Sequence, residues 1–164
     1  MPKKPTIQEL IDHFDLEPME AENLRFRRTY AHQSIGPDSR PIATAIIAML
    51  TDEPESMSDM HRLTADEMWH FYFGDPVELL LLYPDGTDEL VILGHDVLAG
   101  QKPQQLVPGG VWMGARIRSG GHYAVFGNTV SPGFVQEDFE GTSAEALIEQ
   151  WPQQASLIRA LTRY

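Results

Sequence analysis

The chain has 164 residues, 42% of them hydrophobic and 22% charged, with 12 prolines and 13 glycines spread along its length, and this make-up leads us to expect a single globular domain over residues 1–164. Twenty-four acidic against 12 basic residues give a net charge of −12, a field that repels phosphate backbones and anionic lipid, so neither nucleic acid nor a membrane is expected as a partner. The lack of cysteine excludes disulfides, thiolate metal ligands and a cysteine nucleophile, and without a secretory pattern or an apolar run of about twenty residues a cytoplasmic location is expected.

Thr6 with Glu9 three residues on makes a capping box, and Ile7, Leu10, Ile11 and Phe14 recur on one helical face, which predicts a short N-terminal helix. Short β-rich runs follow over residues 24–30, 43–50, 57–63, 67–73, 77–83, 89–93, 105–107, 111–116 and 123–130. Nine strands suit a barrel or sandwich. In the first run Arg25, Arg27 and Arg28 stand near Glu20 and Glu22 and read as a salt-bridged strand surface. The second, Ala43 to Leu50, carries no charge; as an exposed edge it would pair with a second copy, and a homodimer is expected on that ground. Tyr83-Pro84-Asp85-Gly86-Thr87 is a turn that should close a hairpin, because proline presets one dihedral and glycine accepts the left-handed one. Near the C-terminus Thr142 and Glu145 repeat the capping box, Leu147, Ile148 and Trp151 supply an apolar stripe, and Leu157, Ile158 and Leu161 continue it beyond Pro152.

His61, Glu67 and Gly74 stand at the spacings of the first cupin motif, and Pro108-Gly109-Gly110-Val111-Trp112-Met113 resembles the second. The likeness extends over residues 20 to 150 or so to an uncharacterised branch of that superfamily, through Asp66-Glu67-Met68-Trp69-His70-Phe71-Tyr72, the run from Pro76 to Gly86, Thr129 to Phe134, and Asp138-Phe139-Glu140. One segment departs: where that branch carries His-Pro-Glu-Gly-Gly, this chain has Glu20-Ala21-Glu22-Asn23-Leu24 and keeps only Glu22. The resemblance implies an all-β cupin, a double-stranded β-helix or jelly-roll barrel with short flanking helices at the N- and C-terminal ends. A metal-binding cupin typically uses two histidines and a glutamate from the first motif and a histidine from the second. Here Leu63 and Met113 stand at two of those positions, so no cofactor is expected, and a divalent metal would have only His61 and Glu67.

Alternate strand residues face the same side. If Glu67 faces the barrel interior, Trp69, Phe71 and Phe73 follow it, and His61 and Leu63 should face the same cavity from the strand before. The candidate ligand-binding set is therefore His61, Glu67, Trp69, Phe71, Trp112 and Met113, with Tyr30 and Arg28 at the rim. His61 and Glu67 are the candidate catalytic pair, as base and orienting carboxylate. The same two groups hydrogen-bonded across a hairpin would equally satisfy each other as buried polar side chains. Three functions follow. The first is a small-molecule-binding protein with a largely apolar barrel pocket and a degenerate metal site; the second is a metal-independent sugar-type isomerase or epimerase using His61 as base with Tyr30, Tyr72 or Tyr123 as acid. A metal-dependent dioxygenase-like enzyme comes third.

Overall fold

The computed structural model describes residues 4–163. Helix α1 (Ile7–Phe14) starts at the Thr6–Glu9 capping box, in which both reciprocal bonds form. Eleven strands follow: β1 (Glu17–Met19), β2 (Leu24–Ala31), β3 (Thr44–Thr51), β4 (Ser58–Arg62), β5 (Asp66–Gly74), β6 (Val77–Leu82), β7 (Asp88–Leu93), β8 (Gln104–Val107), β9 (Trp112–Ile117), β10 (Tyr123–Ser131) and β11 (Glu140–Gly141). Helices α2 (Ala144–Gln150) and α3 (Ala155–Ala160) come last, with a short 3-10 turn at Pro152–Gln154 between them. No helix among the described residues is long and apolar enough to cross a membrane.

The strands form two antiparallel sheets, in the order β1-β2-β3-β10-β5-β8 and β11-β4-β9-β6-β7. Counted from β3, the first, eighth, third and sixth strands lie side by side in one sheet and the second, seventh, fourth and fifth in the other. That alternation between facing sheets is the jelly roll, the architecture the sequence led us to expect. The Tyr83–Thr87 turn closes the β6–β7 hairpin, with Gly86 at φ 87°.

Both faces of the central strands are covered, which explains runs too uniformly apolar for a half-exposed strand. On β6, Leu79 and Leu81 point between the sheets, while Leu80 and Leu82 point outward beneath α2 and α3, against Trp151, Ile158 and Leu161. On β3, Ala48 and Leu50 face inward and Met49 faces α1. Each fully buried leucine contributes roughly 1.5–3 kcal/mol relative to exposure.

Several local expectations change. The Ala43 to Leu50 run is an interior strand, hydrogen-bonded to β2 on one side and β10 on the other; its lack of charge reflects burial on two faces, so it offers no edge to a second copy. Phe73 does not share the inward face of Trp69 and Phe71: a register shift between Val125 and Phe126 places Phe71 opposite Phe126 but Phe73 opposite Val125. Phe73 consequently packs outside the barrel against Phe14 of α1. The residue capping α2 is Ser143, whose hydroxyl accepts from the Ala146 amide, one position beyond the predicted Thr142. Arg27 pairs with Asp15 at 2.9 Å rather than with Glu20 or Glu22.

Candidate functional site

β4 and β5 belong to different sheets, so the Leu63-Thr64-Ala65 connection carries the chain across the sandwich rather than round a hairpin. His61 on one sheet and Glu67 on the other therefore look into the same interior from opposite walls. The second glycine-rich segment locks this crossing: the Gly109 amide donates to the Asp66 carboxylate at 2.9 Å and the Gly110 amide to the Leu63 carbonyl at 2.8 Å. A side chain at Gly109 would collide with the Thr64 carbonyl, 2.2 Å from where its Cβ would stand.

Between the sheets lies a cavity of about 350 Å³. Its deep wall holds His61, Leu63, Glu67, Trp69, Asn128 and Val130, and the hairpin between β1 and β2 and the segment from Phe134 to Phe139 form its sides. Arg28, Glu17, Ala21 and Gln136 line it too and are exposed, which places them at the rim. Trp69 is stacked on Phe126 at 4.8 Å and closes the cavity from the rest of the core.

His61 is 3% exposed. Its ring stacks on Phe139, 4.8 Å between centroids and 14° from parallel. Nδ1 lies 2.7 Å from the Asp59 carbonyl oxygen, which can only accept, so in the neutral ring Nδ1 carries the proton and Nε2 presents its lone pair. Nε2 points toward Glu22, 3.9 Å from Oε1, and the other Glu22 oxygen accepts from the Ser58 hydroxyl. Asp59 pairs with Arg163 behind the histidine. Burial pushes the Asp59 carboxyl above its usual range against the pull of Arg163, and Glu22 pushes in the same direction as burial.

Glu67 is 6% exposed, and no described side chain or amide donates a hydrogen bond to it. Burial raises its pKa from 4.5 to about 7; the nearby His61 lowers it and Glu22 raises it further. Beside it, Trp69 (1% exposed) and Asn128 (5% exposed) face each other across the β5–β10 pair. Trp69 Nε1 and Asn128 Nδ2 are both buried without a partner. Two unmet donors, side by side, thus stand on the wall of the cavity.

The profile of the family described as Cupin superfamily (DUF985) matches residues 8–142. The chain belongs to this family. A protein from Shewanella oneidensis, solved by X-ray crystallography, is 34% identical over 98% of this chain and 99% of its own length, with a TM-score of 0.88. A hypothetical protein from Leishmania major is 27% identical over 98% and 100%, with a TM-score of 0.87. The oxalate decarboxylase of Lactobacillus farciminis, solved as a formate complex, shares the fold alone, at 9% identity and a TM-score of 0.55 over 93% of this chain and 43% of that one. No curated protein matches the chain.

In this cupin the donors for a motif-type metal are not assembled. Leu63 is buried and lines the cavity where an imidazole would stand. Met113, directly opposite His61 in the β4–β9 pair, is buried in the apolar core. Among the described residues no group of three or more His, Asp or Glu side chains is placed to hold a metal ion. One imidazole and carboxylates do not make the two-histidine, one-carboxylate set, and the residues present do not fit the metal.

Of the candidate site residues, His61, Glu67, Trp69 and Arg28 come together around the cavity. Phe71 faces inward but lies beyond Trp69, packed edge-on against His95. Trp112 and Met113 are neighbours on one strand and cannot share a face; Met113 points inward, whereas Trp112 points out under α2 with the Arg62 guanidinium 4.7 Å from its ring. Tyr30 is exposed, edge-on to His32. Among the cavity residues outside the candidate set are Glu22, Asn128 and Phe139. Asn128 was detectable, since it shares strand parity with Ala124, Phe126 and Val130 and is the polar member of an otherwise apolar inner face. Glu22 and Phe139 sit outside long strands, where periodicity carries no information about direction.

Proposed function

We propose that this cupin binds a small molecule in the cavity between its sheets. The observation that carries the reading is the pair of buried, unpartnered donors, Trp69 Nε1 and Asn128 Nδ2, on the wall of a 350 Å³ cavity. A buried donor left unpaired costs about 1–3 kcal/mol, and native interiors rarely leave one unmet. A ligand with an acceptor that reaches the two groups satisfies them and gains the apolar contact of Leu24, Phe26, Ile46 and Phe134 as well.

The test is a thermal-shift screen against a metabolite library, repeated on Ile46→Phe, which fills the cavity from β3. A ligand at a hundred times its Kd stabilises by about 2.7 kcal/mol, and such shifts should vanish in the filled variant. A library that shifts neither protein, or hits that Ile46→Phe leaves intact, would overturn the proposal.

A second reading, acid–base chemistry by His61 and Glu67, draws on one specific observation: Nδ1 is fixed by a carbonyl, leaving Nε2 turned toward the carboxylates. Among the described residues no tyrosine lines the cavity; Tyr72 and Tyr123 lie on the outer face of the six-stranded sheet. The histidine–tyrosine pairing of a sugar epimerase is therefore not supported. Exchange of solvent deuterium into a bound sugar, lost in His61→Ala, would establish chemistry at this pair.

A further inference from the structure

We propose that the ligand carries a protonated amine, held by Glu22, Glu67 and Nε2 of His61, and a hydrogen-bond acceptor that reaches Trp69 and Asn128. The proposal rests on the reading of the cavity as a ligand site and adds the chemical class of its occupant. Acceptors gather at one end. The Asp59 carbonyl accepts the Nδ1 proton, so whenever the ring is neutral Nε2 and Oε1 of Glu22 are two acceptors 3.9 Å apart, with no proton between them and close enough to share one donor. Glu67 lies close enough for both His61 and Glu22 to shift its pKa and takes no hydrogen bond from the described residues. An ammonium group has three N–H bonds and no acceptor, and so can serve all three.

Charge points the same way. The basic side chain on the cavity wall is Arg28, which is exposed at the rim and turns its guanidinium to the Phe134 carbonyl at 3.4 Å. A carboxylate or phosphate would enter a poorly solvated space already holding Glu22 and Glu67, in a chain of net charge −12. The unpaired donors require an acceptor on the same molecule. Glu67 and Trp69 are two positions apart on one strand face, about 7 Å along the strand, and that sets the separation of amine and acceptor. The rest of the cavity lining is largely apolar, with Leu24, Phe26, Ile46, Leu63 and Val130. The occupant is thus a compact amphipathic amine with an oxygen at its far end.

Three isosteric probes test this: tyramine, tyrosol and 4-hydroxyphenylacetate, which place an ammonium, a hydroxyl or a carboxylate at one end of the same phenol. Titration calorimetry and ligand-observed NMR should show tyramine binding at least about tenfold more tightly than tyrosol and 4-hydroxyphenylacetate not binding. Glu22→Gln should reduce tyramine to the affinity of tyrosol while leaving tyrosol unchanged, in a variant whose circular dichroism matches the parent. Equal affinities for tyramine and tyrosol, or tighter binding of the carboxylate, would overturn the amine assignment and leave the cavity reading standing, provided Ile46→Phe abolishes the binding. Failure of all three at millimolar concentration would overturn both.

Discussion

Replacing Glu67 by glutamine should stabilise the protein, and should do so only above the pH at which a free glutamate ionises. In the unfolded chain Glu67 titrates at its ordinary value of 4.5, whereas in the folded barrel burial holds its pKa near 7. Between those values the folded state keeps a proton that the unfolded state has lost, so the folded state binds more protons and stability falls as pH rises. At roughly 1.4 kcal/mol for each pH unit, the loss amounts to at most about 3 kcal/mol and is complete a little above pH 7. Glutamine is nearly isosteric with the protonated acid and does not ionise. The two proteins should therefore be close in stability at acid pH and diverge with rising pH, until Glu67→Gln leads by up to about 3 kcal/mol at pH 8.5, or roughly 6–12 °C in Tm for a chain of this size. Urea denaturation of both proteins at pH 5.5, 6.5, 7.5 and 8.5 measures the difference directly. A gap that does not widen with pH, or a glutamine variant less stable than the parent at pH 8.5, would show that the carboxylate is ionised and satisfied in the fold, and would refute the electrostatic account of the cavity.

Arg163→Ala removes the partner of Asp59, whose side chain is 11% exposed against 28% for the arginine; the expected loss is on the order of 2 kcal/mol at pH 7.5, less than for a fully buried pair. Because burial raises the Asp59 pKa and Arg163 opposes that rise, the loss should shrink as the pH falls, and a loss that stays constant with pH in urea titrations would contradict this. Arg40→Ala breaks a bidentate pair with Asp138; hydrogen exchange should accelerate over residues 134–139, and binding at the cavity should weaken while that at an unrelated surface does not. Leu63→His adds an imidazole beside His61 and Glu67 and completes a three-donor set; elemental analysis should then find about one zinc or nickel per chain where the parent retains far less, and equal metal contents would show that the donors do not converge.

The strands were legible because their periods are two and their breaks are proline and glycine: all nine expected runs appear, most within a residue or two of the expected bounds. What escaped was whatever depends on how the sheets meet. Periodicity assigns Trp69 and Phe71 to one face but cannot show that Trp69, stacked on Phe126, shuts Phe71 out of the cavity. It carried Phe73 to the wrong face because a bulge adds one residue to a strand without leaving a mark in the hydrophobic pattern. The uncharged β3 was ambiguous for a related reason: an apolar strand is equally consistent with an edge awaiting a partner and a centre buried on both sides, and only the pairing with β2 and β10 decides.

The cavity lies on the side where the β1–β2 turn meets the start of β4 through a short bridge between Asn23 and Met57. At the opposite side β7 and β8 are joined through Lys102, whose amide donates to the Ile92 carbonyl and whose ammonium reaches Glu89 and Gln105, and the space between the sheets is filled with aliphatic side chains. On the open side Asp138-Phe139-Glu140 substitutes for such a seam. Asp138 is held by Arg40, Glu140 by both arms of the Arg62 guanidinium at 2.8 and 2.9 Å, and Phe139 between them lies flat on His61. Two ionic anchors, one largely buried and one exposed, thus flank the aromatic ring that lies on the imidazole beneath. That arrangement fixes the plane of His61 from above while the Asp59 carbonyl fixes its rotation from below, so its free nitrogen can point only into the cavity. A ring meant solely to fill space would not need both constraints. Their combined presence at the one histidine that faces Glu22 and Glu67 argues that the direction of its lone pair is what the surrounding structure holds constant.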